Sequence, residues 1–237
     1  MEVRVYRGRA NDPATDRDIT AAVLERTAET GVPAVRVWQP SRQVAFGRRD
    51  SHTAGYEAAR QAAVARDYQP IERSVGGRAV AYTGRTLAIV HTVPIDDIRQ
   101  GMCDRYKTTS QTLTDVLSDL GADVMRGEPA DAYCPGSHSV SGVDGEELAG
   151  KLAGVAQRVR SGAALVSGCL TVTAADEPEM QAVLDPVYHA LGVPFDSTSV
   201  GSVSTAGGPG DPEIVRQAVE AALVGGREKS VTTVGDE

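Results

Sequence analysis

Three short segments carry the residues whose types could do chemistry. The first is Glu72-Arg73-Ser74-Val75-Gly76-Gly77-Arg78-Ala79-Val80-Ala81-Tyr82, with two glycines between strand-like runs. Glycine tolerates positive φ and lets a ligand approach bare backbone, so N–H groups there can hold a phosphate or an acyl carbonyl oxygen. Arg73 and Arg78 flank the turn and add charge. An ordinary Gly-Gly hairpin turn with two surface arginines fits the same pattern. The second segment is Cys134-Pro135-Gly136-Ser137-His138. A cysteine in a Pro/Gly loop is open to solvent, and thiolate chemistry needs that access plus a nearby positive group. The plain alternative is an inert thiol. The third is Gly150-Lys151-Leu152-Ala153-Gly154-Val155-Ala156-Gln157-Arg158. A lysine among small residues at the start of a strand can point into a cleft and hold a phosphate or carbonyl oxygen, or lower a cysteine pKa. The sequence lacks GxxxxGK[ST], so this is not a P-loop.

Lys151 stands out against the composition. Of the 24 basic residues only Lys107, Lys151 and Lys229 are lysines. Arginine is the habit of this chain, so a lysine between glycines points to a requirement for a compact ammonium. The four histidines, His52, His91, His138 and His189, show no metal-ligand spacing, and no metal site is expected. His138, four residues after Cys134, is a candidate base or a loop residue. Cys169 is expected to pack in a sheet, and Cys103 has no supporting context.

The 237 residues are 41% hydrophobic and 24% charged, which is globular composition with enough chain to bury a core without disulfides. Net charge is -8, which argues against a nucleic-acid partner recognised through a basic face. No apolar run reaches the roughly 20 residues of a membrane span, and the N-terminus lacks a signal-peptide core. Three scattered cysteines make a reducing, cytoplasmic setting the default.

These segments need elements to position them. Residues 2–7 alternate as a strand, and 18–30 have helical spacing, with Asp16 or Asp18 as N-cap and Gly31 at the end. Residues 35–38 and 43–46 read as short strands, 53–66 as an alanine-rich helix, and 71–75 and 79–93 as interrupted strands. Residues 104–120 form an amphipathic helix closed by Gly121. Residues 131–145 read as loop around a short strand, ending in a turn at 143–145. Residues 148–159 and 163–173 pair as an antiparallel hairpin. Residues 178–191 and 212–224 are helices, separated by a Gly/Ser loop at 197–210. The fold class is α+β: a mixed, mainly antiparallel sheet with packed helices. Residues 1–225 are expected to form one domain, and 226–237 to fray.

Taken in order, RSVGGRAVAY, GKLAGVAQRV and ALVSGCLTV resemble the biotin/lipoate protein ligase superfamily, and its lipoate–protein ligase A and octanoyltransferase branch in particular. VAFGRRDSHTAGYEAAR resembles the family's FGR segment and following helix. The resemblance runs from about residue 35 to 173. It implies the catalytic fold shared with class II aminoacyl-tRNA synthetases and biotin ligases. It also implies a cytoplasmic enzyme that attaches a lipoyl or octanoyl group to a lysine of lipoyl domains, on 2-oxoacid dehydrogenase E2 subunits or the glycine cleavage H protein. By the same resemblance, Lys151 takes the place of the family's lysine. Arg73, Gly76, Gly77, Arg78, Ala79, Val80 and Ala81 form the nucleotide- and acyl-binding turn, and Gly154 belongs to the lysine segment.

Two chemistries are implied. In one, Cys134 takes the acyl group as a thioester and Lys151 lowers the thiol pKa. In the other, ATP, with Mg2+, and lipoate form lipoyl-AMP on Lys151 and Arg73 while Cys134 stays idle. Lipoate or octanoate is the substrate, and no permanently bound cofactor is expected. The Cys134-Pro-Gly-Ser segment resembles the members that move octanoyl between H protein and E2. Several features depart from the family. Residues 136–138 stand where ligases carry Asn-Asp, Arg78 replaces a third turn glycine, and Val166 or Ser167 stands where the family often has histidine. The 64 residues after 173 are too few for the accessory domain of longer ligases. That favours either a separate accessory chain or no adenylation. A non-catalytic lipoate-binding protein is the remaining alternative, and Lys151 beside the Gly-Gly-Arg turn argues against it. Lys151→Arg is expected to abolish activity and leave the fold intact.

Overall fold

The computed structural model describes residues 2–73 and 75–235. Its strands are β1 (Val3–Arg7), β2 (Ala34–Trp38), β3 (Gln43–Phe46), β4 (Gln69–Glu72), β5 (Val80–Tyr82), β6 (Leu87–Pro94), β7 (Val124–Arg126), β8 (Val140–Asp144), β9 (Glu147–Arg160), β10 (Ala163–Leu170) and β11 (Lys229–Thr233). The helices are α1 (Pro13–Thr30), α2 (Tyr56–Val64), α3 (Met102–Asp119), α4 (Asp176–Leu191) and α5 (Pro212–Val224). Eight strands form one sheet in the order β11-β1-β2-β6-β10-β9-β8-β7, and β4-β3-β5 form a second. Pairing is mainly antiparallel, while β11-β1-β2 and β3-β4 are parallel.

Burial explains the layering. One face of the large sheet packs Val35, Ile89 and Leu170 against Leu113 and Leu117 of α3 and Val215 and Val219 of α5. The other packs Val90, Leu165 and Cys169 against α1, the small sheet and α4, with Val183, Leu184 and Val187 inward. Because side chains alternate along a strand, β6 and β10 serve both cores at once. Among the described residues no helix is long and apolar enough to cross a membrane.

Several boundaries move. Helix α1 begins at Pro13 because Asp12, not Asp16 or Asp18, caps it and accepts from the Ala14 and Thr15 N–H groups. Asp16 is buried instead, paired with Arg36 and accepting from Trp38 Nε1 at 3.2 Å. β2 and β3 follow one another in the chain but lie in different sheets. The turn expected at 143–145 falls one residue later, with β8 running to Asp144 and Gly145 at φ 65. β7 is a short strand without a sequence signal. Of the expected strand at 71–75, only 71–72 is strand, and Ser74 lies outside the described residues.

The largest correction is the tail. Lys229–Thr233 does not fray but pairs in parallel with β1, Val3 opposite Lys229 and Arg7 opposite Thr233. All five of its side chains are exposed, so no hydrophobic pattern marked the strand; backbone pairing holds it to the edge, with one ion pair from Lys229 to Glu220 at 3.7 Å. Asp236 and Glu237 lie outside the described residues.

Candidate active site

The Cys134 loop and the Gly76-Gly77 turn meet across a cleft of about 510 Å³ between the small sheet and the middle of the large one. Arg73, Gly76, Gly77, Val80, Cys134, His138, Gly154 and Cys169 all line it. The sequence separated these residues by up to 96 positions (169 − 73), and the fold gathers them.

Cys134 is half-buried and sits at φ 43, in the left-handed region that a side-chain-bearing residue adopts at a cost. Its N–H donates to Tyr188 Oη at 2.5 Å, and that hydroxyl donates to the Ala79 carbonyl at 2.9 Å. The strained loop is thereby tied through α4 to the residue that enters β5. Its sulfur meets two donors, Arg73 Nη2 at 3.1 Å and the Arg78 backbone N–H at 3.2 Å. Burial pushes this thiol up. The charges of Arg73 and Lys151 and the two hydrogen bonds together outweigh it, and the pKa ends below the ordinary thiol value.

Gly77 makes this contact possible. It lies at φ 96, and a Cβ there would stand 2.6 Å from both Cys134 Sγ and Arg73 Nη2. Arg73 also donates to the Arg78 carbonyl at 2.5 Å. The Arg78 side chain turns away to Asp50, at 3.1 Å, and Asp50 accepts from Gly47 N–H at 2.9 Å. Arg78 therefore serves the sulfur with its backbone, not with its charge. Ala81 is buried in β5 opposite Val44 and does not reach the cleft.

Lys151 is fully buried. It enters where the β8–β9 register shifts around Ser141, so three consecutive residues, Lys151, Leu152 and Ala153, are all buried. Its Nζ donates to the carbonyl oxygens of Tyr133 and Cys134, both at 2.9 Å, and to Glu128 Oε1 at 2.9 Å and Oε2 at 3.2 Å. The Tyr133 ring stands 5.0 Å away. The ammonium thus grips the backbone on both sides of Cys134 and acts on the sulfur through its charge. A Cβ at Gly154 would come within 3.1 Å of Lys151 Cε, which accounts for a small residue there.

Sequence reasoning missed Glu128, Tyr188 and Asp50. Glu128 holds Lys151 and accepts from Ser139 Oγ; Tyr188 and Asp50 fix the two loops. None carries a local motif, because each acts across tertiary contacts. Cys169 packs in β10 as expected, and burial pushes its thiol up to about 12. Cys103 is exposed and outside the cleft. Among the described residues no cluster of His, Cys, Asp and Glu could hold a metal ion.

A second, apolar cleft of about 100 Å³ adjoins the first and shares Arg73, Tyr82, Ser167 and Gly168 with it. Trp38, Ala45, Ile71, Val75 and Leu165 line it. An apolar slot opening beside a thiol and two N–H donors is the arrangement expected for a site that handles an acyl group.

The comparisons with known proteins agree with this geometry. The chain belongs to the lipoyl protein ligase A/B catalytic domain family, whose model matches residues 12–222. It is 29% identical over 145 residues to the octanoyl-GcvH:protein N-octanoyltransferase of Oceanobacillus iheyensis, covering 61% of this chain and 49% of the relative. It is 28% identical over 147 residues to the lipoyl-GcvH:protein N-lipoyltransferase of Listeria monocytogenes, covering 61% of this chain and 49% of that one. The chain spans about half the length of the curated relatives it matches. Its fold is that of lipoate–protein ligases. A lipoate–protein ligase A solved with ATP superposes with TM-score 0.77 at 19% identity, covering 100% of this chain and 90% of that one. A structure described as a bipartite lipoate protein ligase and its E2 lipoyl domain from Thermoplasma acidophilum superposes with TM-score 0.70 at 17% identity, covering 100% and 88%.

Proposed function

We propose that the protein is a protein-lipoylation enzyme that moves an octanoyl or lipoyl group between proteins through a thioester on Cys134. The observation that carries this reading is the pair of donors, Arg73 Nη2 and the Arg78 N–H, on one accessible sulfur with a lowered pKa. The thiolate attacks the carbonyl carbon of an acyl amide on the donor protein. The tetrahedral oxygen is met by backbone N–H groups of the Gly76-Gly77 turn, and the donor's lysine amine leaves. The acyl chain lies in the apolar slot beside Trp38 and Leu165. An amine of the acceptor then attacks the thioester and returns Cys134 as a thiolate.

The relatives' names give GcvH, the glycine cleavage H protein, as the partner that supports this donor; the acceptor in this reading is a lipoyl domain such as that of an E2 subunit, in the cytoplasm. Lys151 holds the loop through the Tyr133 and Cys134 carbonyls and lowers the thiol pKa by its charge. The ATP-dependent alternative calls for an ammonium free to meet a phosphate, with Mg2+ and an accessory chain. Here that ammonium is engaged by a carboxylate and two carbonyls, which favours the thioester route.

The test is intact mass spectrometry of the protein mixed with octanoyl-H protein. One octanoyl mass added to the wild type, absent in Cys134→Ala, supports the reading. Transfer at the normal rate by Cys134→Ala with a requirement for ATP and free lipoate overturns it in favour of the ligase.

A further inference from the structure

The thioester route, on which this inference rests, leaves a proton unaccounted for. An amide nitrogen does not depart from a tetrahedral adduct without being protonated, and an attacking amine must lose a proton before the C–S bond breaks. Some group in the cleft must handle that proton.

Among the described residues the cleft is lined by no Asp or Glu. Its arginines offer donors only, with no atom that accepts a proton. Burial pushes up the hydroxyls of Tyr82, Tyr106 and Tyr133 and the thiol of Cys169. Cys134 carries the acyl group. His138 is the remaining titratable group, and its ring is held in place. It stacks on Tyr106 of α3 with centroids 4.6 Å apart and planes at 8°. The stack fixes the imidazole over the same cleft that the sulfur faces, three residues beyond Pro135 in a loop pinned by Ser139 to Glu128.

We propose that His138 is the proton-transfer residue of this cleft, serving both the departing and the attacking amine. In the acceptor half, the amine sheds one proton to solvent and attacks the thioester carbonyl, forming the C–N bond. The neighbouring arginines, as like charges, lower its pKa. His138 takes the second proton from the nitrogen of the adduct, the C–S bond breaks, and Cys134 leaves as a thiolate beside Arg73. In the donor half the steps reverse. Cys134 forms the C–S bond, the imidazolium protonates the amide nitrogen, the C–N bond breaks, and the freed amine gains its second proton from solvent. One residue closes the cycle because the reaction exchanges one amide for another.

The surroundings suit the neutral imidazole that the donor half leaves behind and the acceptor half needs; the acceptor half restores the imidazolium for the next donor. Nδ1 is buried without a hydrogen-bond partner, so an added proton there would be stranded. Burial first, then the charges of Arg126 on β7 and Lys107 on α3, hold its pKa below the ordinary value; Tyr106, on the same helix, faces it uncharged.

The experiment separates the two half-reactions. p-Nitrophenyl octanoate loads Cys134 without needing an acid, because p-nitrophenolate departs unprotonated. His138→Gln is expected to load to full stoichiometry within about twofold of the wild-type rate. It should then pass octanoyl to an apo lipoyl domain about 10²–10⁴-fold more slowly. With octanoyl-H protein as donor, loading itself should slow by a similar factor. Tyr106→Phe should transfer like the wild type, and Tyr106→Ala, which loses the stack, should load normally and transfer slowly. Transfer by loaded His138→Gln at the wild-type rate would overturn the assignment. Should His138→Gln not fold, the same rate in Tyr106→Ala as in Tyr106→Phe would overturn it equally. A wild type that never gains octanoyl on Cys134 would show in the loading step, and would instead overturn the thioester reading.

Discussion

Two cysteines line one cleft and have opposite environments. Cys134 sits on a strained loop with two donors on its sulfur, and its pKa is lowered; Cys169 sits on a regular strand among packed side chains, and its pKa is raised to about 12. Burial pushes both thiols up. The difference lies in what meets the sulfur, a guanidinium and a backbone N–H in one case and the Tyr82 region of the core in the other. Desolvation alone makes a thiol inert. Desolvation beside a fixed cation makes a nucleophile.

The largest test of this contrast is to remove each sulfur. Cys134→Ala should lower acyl transfer by roughly 10⁴–10⁶-fold, while Cys169→Ala, outside the chemistry, should stay within about tenfold. Gly77→Ala should come next. Its methyl group would occupy the space between the sulfur and Arg73, and its φ of 96 strains any side-chain-bearing residue. Transfer should fall by about 10²-fold or more, with iodoacetamide labelling at Cys134 slowed in parallel.

Removing a supporting cation should have smaller and separable effects. Arg73→Met deletes a charge-assisted hydrogen bond of about 1.5–3 kcal/mol, so transfer at pH 7 should drop about 10- to 100-fold and recover in part as pH rises. Lys151→Met leaves Glu128 without its partner and should destabilise the fold by about 3–5 kcal/mol, read as a lower midpoint in urea. This burial changes the expectation for Lys151→Arg. A larger side chain packed against Gly154 should disturb the fold as well as the activity.

The smallest effect is a pH profile. Because the Cys134 thiol is depressed, its alkylation should reach half-maximal rate below the ordinary thiol value of about pH 8.5. Cys169, raised to about 12, should stay unlabelled throughout. By linkage, the stability that the ionised Cys134 contributes is present above the ordinary value and is lost as pH falls through its folded pKa. Equal labelling of the two thiols, followed by peptide mass spectrometry, would break the comparison.

Much of this was legible beforehand. Helix α5 and the β9–β10 hairpin follow from local signals: Asp and Pro at a helix start, Gly at its end, and a turn at Ser161-Gly162. The three chemical segments were legible because glycines and a lone lysine mark backbone and charge requirements that no other residue meets. β11 was illegible because its side chains are all exposed and its backbone pairing leaves no hydrophobic pattern in the sequence.

The sequence alone therefore determined the fold class, the elements flanking the cleft and the identity of Arg73, Cys134 and Lys151 as the groups to watch. Tertiary structure decided their division of labour. It set the Arg73 guanidinium on the sulfur, gave the Arg78 charge to Asp50, and turned the Lys151 ammonium to Glu128 and two carbonyls. It also recruited Tyr188 and placed His138 over the cleft. The reason is physical. Residue type fixes which interactions a side chain can make, but hydrogen bonds and charge pairs act over about 3–4 Å, and only the folded chain brings partners so distant in sequence within that range.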